Sequence, residues 1–321
     1  MTKPRLTFFC ELEADALQAL FADSSVMGDL VALEAGVSLG ILDLSGERAK
    51  VARRLNEAGI PVVAWLLLPE EQGYWFNLGN APQAAARYAD FKAWTAEHSL
   101  QWAGVGVDIE PDIREVQQLL SDRRRLLPAL LRRAFDPGRL RSAQTAYGAL
   151  VAQMRADGYR VDCYHMPPIV DERRAGSELL RRVAGLVDVP ADREVLMLYT
   201  SFLRPRGPGI LWSYAPDADS VGVGSTGGGV EVGGVGDVAP LDWAEFSRDL
   251  RLARCWSNDV HVFSLEGCVH QGFLARLRAF DWEQPIAPPL QAARRVNGVR
   301  RAARALLWAS AHPYVVLRRM R

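Results

Sequence analysis

Short apolar segments rich in β-branched residues alternate along the chain with longer segments of helical periodicity. Strand patterns fall at eight places, residues 6–12, 37–42, 60–68, 103–110, 159–164, 195–199, 220–225 and 260–265. Helical patterns lie between most of them, at residues 14–33, 47–58, 82–97, 116–156, 178–186 and 243–254, and the longest is expected to break near residues 136–138.

This order of elements predicts the fold. Repeated strand–helix units require parallel strands joined by right-handed crossovers. Eight such units close a (β/α)8 TIM barrel, so we expect one α/β barrel domain at residues 1–285 and an Arg-rich helical extension at residues 286–321. An open doubly wound sheet is the alternative, but it usually has a glycine-rich turn after its first strand, where this chain has Glu11-Leu12-Glu13.

Composition and charge narrow the classes of function. The 321 residues are 49% apolar and 24% charged, and Lys plus Arg and Asp plus Glu number 38 each, so no net charge attracts nucleic acid. The four cysteines lack C-x-x-C spacing and no two of the five histidines are spaced i, i+4, so we expect no metal and no other cofactor. Neither a secretory leader nor a membrane-spanning apolar stretch is visible, and we expect a cytoplasmic protein.

Ionisable or hydroxyl-bearing residues follow nearly every predicted strand. In TIM barrels the active site lies at the carboxyl ends of the strands, so these residues are candidates for a shared site. The candidates are Glu11, Asp43, Glu70, Asp108, Glu110, Tyr164, His165, Tyr199, Ser225 and Glu266.

The fourth strand, residues 104–110, carries the most informative pattern. Its period-two alternation places one set of side chains under the outer helices, Val105, Val107 and Ile109. Asp108 and Glu110 then point into the barrel, roughly 6–7 Å apart along the strand. Two inward acids repel each other and lose hydration, which raises one pKa and keeps a proton on that acid near neutral pH. A protonated acid beside an ionised one is the pairing that glycosidic bond cleavage requires. The alternative is an acid pair held by Arg or backbone donors in a structural network.

Two short motifs resemble known glycoside hydrolases. Val-Asp-Ile-Glu at residues 107–110 looks like the end of the D-x-x-D-x-D-x-E signature of the chitinase-like family eighteen, and a related D-x-E strand end occurs in the lysozyme-like family twenty-five. Met-Leu-Tyr-Thr at residues 197–200 is similar to the Met-x-Tyr-Asp motif of the chitinase-like group. The resemblance implies that Glu110 is the general acid, while Asp108 orients the acetamido group of the substrate and Tyr199 hydrogen-bonds to it.

The sequence departs from the chitinase-like pattern at three positions. Ala103 and Gly106 stand where the signature has its two earlier Asp residues, and Thr200 replaces the acid after Tyr199. An acetamido substrate is therefore not established by the resemblance. A second carboxylate could replace the substrate's acetamido group in the reaction. The candidates for this nucleophile, general base or sugar-binding residue are Glu266 after the eighth strand, Glu11 and Asp43.

Aromatic residues indicate where a sugar would bind. Tyr74 and Trp75 lie within a loop at residues 69–77 that mixes aromatics, acids and amides, which is typical of a carbohydrate subsite. Trp65, Trp212 and Tyr214 are candidates to extend this subsite. The alternative for each aromatic residue is that it only packs the loop onto the barrel.

Two other segments suggest competing functions. Residues 222–227 match G-x-G-x-x-G, but further glycines follow up to residue 236 in place of a helix, so a flap or surface hairpin is favoured over a phosphate site. The tail at residues 294–321 holds eight arginines and no acid. We expect a closing helix with a solvated Arg face, with peripheral binding to an anionic membrane as the alternative.

The leading hypothesis is a glycoside hydrolase that acts on an oligosaccharide or polysaccharide. A non-catalytic carbohydrate-binding or scaffold barrel is the second hypothesis, and a sugar-phosphate lyase or isomerase is the third.

Overall fold

The computed structural model describes residues 3–230 and 238–312. Eight parallel strands form a closed barrel in chain order. They are β1 Arg5–Cys10, β2 Gly36–Ile41, β3 Val62–Leu66, β4 Gly104–Ile109, β5 Val161–His165, β6 Arg193–Met197, β7 Ser220–Gly224 and β8 Asp259–Phe263. The predicted (β/α)8 fold is confirmed, and every predicted strand boundary lies within two residues of the observed one.

Thirteen α-helices lie in the described residues. They are α1 Ala14–Ala22, α2 Ser24–Ala32, α3 Gly46–Glu57, α4 Ala81–Glu97, α5 Ile113–Ala134, α6 Pro137–Ala156, α7 Pro168–Ala175, α8 Leu179–Ala184, α9 Gly207–Tyr214, α10 Trp243–Arg254, α11 Leu265–His270, α12 Phe273–Arg278 and α13 Leu290–Ala311. Within these residues no helix combines the length and apolar character that crossing a bilayer demands.

The helix predictions needed two kinds of correction. Residues 14–33 form two helices because Asp23 interrupts the first, and its side chain accepts a hydrogen bond from the Ser25 backbone N–H to cap the second. The predicted break near residue 136 is present, where Asp136 caps α6 through the Arg139 backbone N–H. The helices α7, α9, α11 and α12 were not predicted, because each spans only six to eight residues and shows little periodicity.

Aromatic and apolar side chains fill the middle of the barrel. Phe9, Trp65 and Tyr164 form edge-to-face contacts there, with Phe9 and Tyr164 ring centroids 4.8 Å apart. The Tyr164 hydroxyl lies 2.8 Å from the Ser38 hydroxyl, so a hydrogen bond crosses the interior between β5 and β2. This plug closes the barrel below the carboxyl ends of the strands.

Paired charges close the opposite, amino-terminal end. Arg193 forms ion pairs with Asp162 and Asp259, both of which are almost fully buried. Arg160 and Arg5 add further contacts to these two carboxylates. Asp162 and Asp259 thus both have cationic partners, which is the usual state of a buried carboxylate.

The helix α13 packs on the outside of the barrel against α7, α8 and α9. Arg300 on this helix is buried, pairs with Asp171 and Asp217, and stacks its guanidinium 3.7 Å from the Tyr214 ring centroid. The extension therefore holds a buried cation as well as exposed arginines, whereas the sequence predicted only a solvated Arg face. The tail residues 313–321, and residues 231–236 of the glycine-rich segment, lie outside the described residues.

Candidate active site

A cavity of about 1320 Å³ opens at the carboxyl ends of the strands. Its deep end is lined by Glu11, Asp108 and Glu110, together with aromatic side chains from four segments of the barrel. Its outer part runs between α7, α9 and α13, so that the C-terminal helix forms one wall. The position matches that of active sites in TIM barrels generally.

The β4 acids occupy successive inward positions at the end of their strand. Asp108 is 2% exposed, and Val105, Val107 and Ile109 on the opposite face are buried in the core beneath the helices. The backbone beyond Ile109 is fixed because the Glu110 N–H donates to the Phe76 carbonyl and the Phe76 N–H donates to the Asp108 carbonyl. Strand geometry thus aims both carboxylates into the cavity.

A third carboxylate, Glu11, projects into the same space from the end of β1. Its Oε1 accepts a 2.7 Å hydrogen bond from the Tyr74 hydroxyl, and its Oε2 accepts a 2.9 Å bond from the Val230 backbone N–H. Gly229 lets the backbone approach this closely, since an added Cβ would lie 2.8 Å from Glu11 Oε2. The loops after β3 and β7 therefore both position Glu11.

Burial raises the pKa of all three acids, and repulsion by a neighbouring carboxylate adds to each increase. Burial is the main cause for Asp108, whose pKa lies well above its usual value, with Glu110 and Glu11 adding to the shift. Burial and the charge of Glu11 raise the pKa of Glu110 to about 8. Burial also raises the pKa of Glu11 to about 7, although the Tyr74 and Val230 hydrogen bonds oppose the increase. The cluster consequently retains protons at neutral pH.

The cluster differs from the acids at the other end of the barrel. In the described part of the chain, no Arg, Lys or His forms an ion pair with Glu11, Asp108 or Glu110. Asp108 Oδ1 is buried without a hydrogen-bond partner among these residues, as is Asp259 Oδ1 at the other end, so the difference between the two ends is the absence of a cation from the acidic cluster. Buried carboxylates without a cationic partner are suited to a polar ligand rather than to a structural network.

Aromatic rings form the walls around the acids. Tyr199 stacks on Phe263 with ring centroids 5.4 Å apart, and Trp65 and Phe263 are 6.5 Å apart in an edge-to-face arrangement. Trp75 also lines the cavity, and Tyr74 packs edge-to-face on it at 5.3 Å. Such faces can stack on sugar rings. Burial, followed by the charges of Asp108, Glu110 and Glu11, raises the pKa of Tyr199, which stays a neutral hydrogen-bonding group.

Two of the predicted carboxylates lie away from the cavity. Asp43 Oδ2 accepts hydrogen bonds from the buried Arg48 guanidinium, and its Oδ1 accepts from the Ser45 backbone N–H at the start of α3. Glu70 is exposed and its Oε1 accepts a hydrogen bond from the Gln117 side chain. Both are loop-anchoring residues rather than part of the acidic cluster.

Three other predicted residues belong to the packing around the site. Tyr164 points inward but lies in the plug beneath the cavity. His165 faces the outer helices because it is one residue further along β5, and its Nδ1 lies 2.6 Å from Glu194 Oε1 while its Nε2 lies 3.2 Å from Cys163 Sγ. Trp212 on α9 packs edge-to-face against Trp256, with centroids 5.0 Å apart, outside the cavity.

Glu266 supports Glu11 from below. It lies in the first turn of α11 rather than at the end of β8, since Ser264 caps that helix. Its Oε1 accepts a 3.4 Å hydrogen bond from the Glu11 backbone N–H, and Gly228 packs against its side chain. Glu266 is absent from the cavity lining, so it contacts the candidate site through Glu11. Ser225 also serves the loop, because its hydroxyl accepts a hydrogen bond from the Gly227 N–H.

The structure explains one departure from the chitinase-like signature. Gly106 occupies an inward position on β4, and a Cβ there would lie 2.8 Å from Tyr164 Cζ. The plug thus fills the space that an acidic side chain would need. Ala103 is exposed and precedes β4.

Several lining residues were missed by sequence reasoning, namely Phe9, Met197, Phe202, Val230, Phe263 and the cavity-facing side chains of α13. Phe9 has the same parity on β1 as Glu11, and this signal could have identified it. The α13 wall has no comparable signal, because its position depends on tertiary packing.

Among the described residues, no group of three His, Cys, Asp or Glu side chains has an arrangement suited to a metal ion.

Comparisons with solved structures agree with the fold. The glycoside hydrolase domain of PgaB (BpsB) from Bordetella bronchiseptica superposes with a TM-score of 0.50 at 10% identity, covering 86% of this chain and 98% of that one. A family 18 glycoside hydrolase chitinase from Pseudoalteromonas aurantia gives a TM-score of 0.50 at 11% identity, covering 86% of this chain and 99% of that one. No protein family model and no curated protein sequence matches the chain.

The chain thus has the barrel fold of chitinase-like glycoside hydrolase domains, as the motifs on β4 and after β6 predicted. The resemblance to the lysozyme-like family twenty-five stays a prediction.

Proposed function

We propose that this protein is a glycoside hydrolase that cleaves an oligosaccharide or polysaccharide by acid catalysis from Glu110. The observation that carries the proposal is the placement of Asp108 and Glu110, two acids without cationic partners in the described structure, in an aromatic cavity at the end of β4. With a pKa of about 8, Glu110 holds a proton at neutral pH.

In the proposed reaction, Glu110 donates its proton to the glycosidic oxygen as the bond between this oxygen and the anomeric carbon breaks. The bonding electron pair leaves with the oxygen, and positive charge develops at the anomeric carbon. Asp108 shares its titration with Glu110 and stabilises that charge when ionised. The Tyr199 hydroxyl donates a hydrogen bond to the substrate at the same place.

Glu11 is the second carboxylate of the proposal, in preference to Glu266 and Asp43. It lines the cavity and its two oxygens are held by Tyr74 and Val230. When ionised, it accepts a proton from the water that attacks the anomeric carbon. Glu11 then releases this proton to solvent and Glu110 takes one up, which restores the starting state of both acids. Glu266 positions Glu11, and Trp65, Tyr74 and Trp75 bind or support the sugar.

A sugar-phosphate substrate is less compatible with the site. The loop after β7 places Gly228 against Glu266 and Gly229 against Glu11, so two acids surround the expected phosphate position. In the described structure, the first helix after this loop begins at Trp243, which leaves the loop itself without a helix N-terminus for an anion.

The test is a hydrolysis screen of aryl glycosides and oligosaccharides with wild type, Glu110→Gln and the matched surface control Glu70→Gln. We expect Glu110→Gln to lower kcat at least about 100-fold while it still binds the substrate, because general acid catalysis contributes about that much. The Glu70→Gln variant should be as active as wild type. Glycan binding without hydrolysis by wild type would instead support a non-catalytic barrel, and full activity in Glu110→Gln would exclude Glu110 as the acid.

A further inference from the structure

The outer part of the cavity is chemically unlike its acidic end. Apolar side chains from α8, α9, α13 and the segment after β6 line it, including Leu180, Phe202, Ile210, Val296, Val299 and Leu306. Val299 and Leu306 are 69% and 74% exposed, and Phe202 is 51% exposed. Large apolar side chains exposed along one cleft usually mark a binding surface.

Two arginines border this apolar section. Arg206 and Arg295 line the cavity, and in the described part of the chain neither forms an ion pair. Both lie three residues from the crossing of α9 and α13, where an added Cβ on Gly209 would be 2.7 Å from Ala292 Cβ. Arg300, by contrast, is neutralised by Asp171 and Asp217. The cavity therefore has acids without cationic partners at its deep end and two arginines without acidic partners in its outer part.

We propose that the outer cleft binds the aglycone of the substrate, and that this aglycone is an apolar alkyl or isoprenoid chain carrying an anionic group. The assignment rests on the proposed glycoside hydrolase function, since it orders sugar, anion and chain along one continuous cavity. The sugar lies beside Asp108 and Glu110, the apolar chain lies along Val296, Val299 and Leu306, and the anion pairs with Arg206 and Arg295.

The charge pattern decides between this occupant and a second stretch of polysaccharide. A neutral glycan would require hydrogen-bonding groups and flat aromatic faces along its path, and the outer cleft offers mainly aliphatic side chains. A cationic amphiphile would be repelled by the two arginines. An anionic amphiphile satisfies both the apolar lining and the unpaired cations.

Binding can be measured without any sugar, by calorimetric titration of octyl phosphate and butyl phosphate below their micellar concentrations. Each buried CH₂ contributes a factor of about four in affinity, so four additional carbons give up to about 200-fold, and we expect at least about 20-fold. Octyltrimethylammonium should bind at least about 10-fold more weakly than octyl phosphate. Equal affinity for butyl and octyl phosphate would overturn the proposal.

Matched variants locate the binding. Val299→Asp should weaken octyl phosphate binding at least about 10-fold, whereas Val31→Asp on α2, an exposed valine outside the cavity, should leave it unchanged. Arg295→Gln should lower the preference for phosphate over the ammonium compound, and Arg301→Gln on the same helix should not. If each cavity variant and its control changed binding equally, the amphiphile would bind elsewhere, and the assignment would be contradicted.

The two proposals fail separately. Glu110→Gln should keep full affinity for octyl phosphate, because this probe does not need the acid. For a sugar that wild type hydrolyses, the octyl glycoside should have kcat/KM at least about 10-fold above the butyl glycoside, and Val299→Asp should remove this difference. Hydrolysis without any chain-length preference would overturn the aglycone assignment alone. Analytical ultracentrifugation gives a further check. A dimer that Val299→Asp abolishes would assign the cleft to a second copy of the chain, and it would also overturn the aglycone assignment.

Discussion

The Tyr74 hydroxyl donates a 2.7 Å hydrogen bond to Glu11 Oε1, which ties the loop after β3 to the end of β1. Tyr74 adopts a left-handed backbone conformation with φ of 63°, which costs a non-glycine residue about 1–2 kcal/mol. The preceding Gly73 also has a positive φ, and the Tyr74 carbonyl accepts a hydrogen bond from the Leu68 N–H. The loop is thus held in a strained form that brings this phenol to the acidic cluster.

Replacing Tyr74 with Phe should raise the pKa of Glu11 above its value of about 7, since the lost hydrogen bond favours the ionised carboxylate. If ionised Glu11 accepts the proton of water, the ascending limb of kcat/KM against pH should move upward by about 0.5–1 unit. The pH–rate profile of Tyr74→Phe measures this shift, and Tyr88→Phe on α4 is the control. An unshifted ascending limb would remove Glu11 from the proposed mechanism.

The descending limb of the same profile reports the acid. Because burial and the charge of Glu11 raise the pKa of Glu110 to about 8, kcat/KM should fall as pH rises through about 8. Glu11→Gln removes the neighbouring charge, so the descending limb should move to lower pH even though overall activity decreases. A limb that stays in place would show that another group supplies the proton.

These acids should also make the free energy of unfolding depend on pH. It should fall as pH rises, whereas salt-bridged carboxylates make it rise. The folded protein keeps protons that the unfolded chain releases above pH about 4.5, so the free energy of unfolding falls as pH rises towards 8. Glu110→Gln should therefore be about 1–3 kcal/mol more stable than wild type at pH 8 and similar to it at pH 4. Urea denaturation at both pH values tests this, and equal stabilisation at pH 4 would contradict the linkage.

The strands were predictable because buried parallel strands leave a strong local signal. The Val-x-Val-x-Ile alternation of β4 also assigned the correct faces to Asp108 and Glu110. His165 was misplaced because one residue of register decides which face a strand side chain occupies, and Trp212 was misplaced because it lies on α9, a short helix that the sequence did not predict. Sequence reasoning placed Glu266 after the end of β8, whereas it lies in the first turn of α11.

Long-range contacts account for the remaining differences. The outer cleft exists because α13 returns to α7 and α9, and no local pattern encodes a contact such as that of Ser213 with Ala293, 80 residues apart in the chain. Asp43 forms a local ion pair with Arg48. An acid at a functional site after a strand has the same sequence context, so the sequence did not distinguish the two roles. Sequence therefore identified the acidic centre and left the extent of the cavity undetermined.

Arg300 should be essential to the wall that α13 forms. Its guanidinium bonds to Asp171, Asp217 and the Ser213 carbonyl, and its side chain is 6% exposed. Arg300→Ala removes the buried cation that bridges Asp171 and Asp217, which are then left with Arg304 and Arg174 alone, and this should cost up to about 3–5 kcal/mol in the free energy of unfolding. Arg301→Ala, the exposed neighbour, should change it by less than about 0.5 kcal/mol. A similar small effect in both variants would show that the buried pair does not hold the helix.

Gly106 should tolerate no side chain while Tyr164 occupies the barrel interior. An added Cβ would lie within 2.9 Å of three Tyr164 atoms, and the Tyr164 ring is fixed by its hydrogen bond to Ser38 and its contact with Phe9. Gly106→Ala should therefore destabilise the protein by about 1–3 kcal/mol through overpacking. Gly148→Ala in α6, where nothing lies within 4 Å of the added Cβ, should stabilise it by up to about 1 kcal/mol. Thermal denaturation of both variants measures the difference, and a stable Gly106→Ala protein would show that the plug yields enough to admit the acidic residue of the chitinase-like signature.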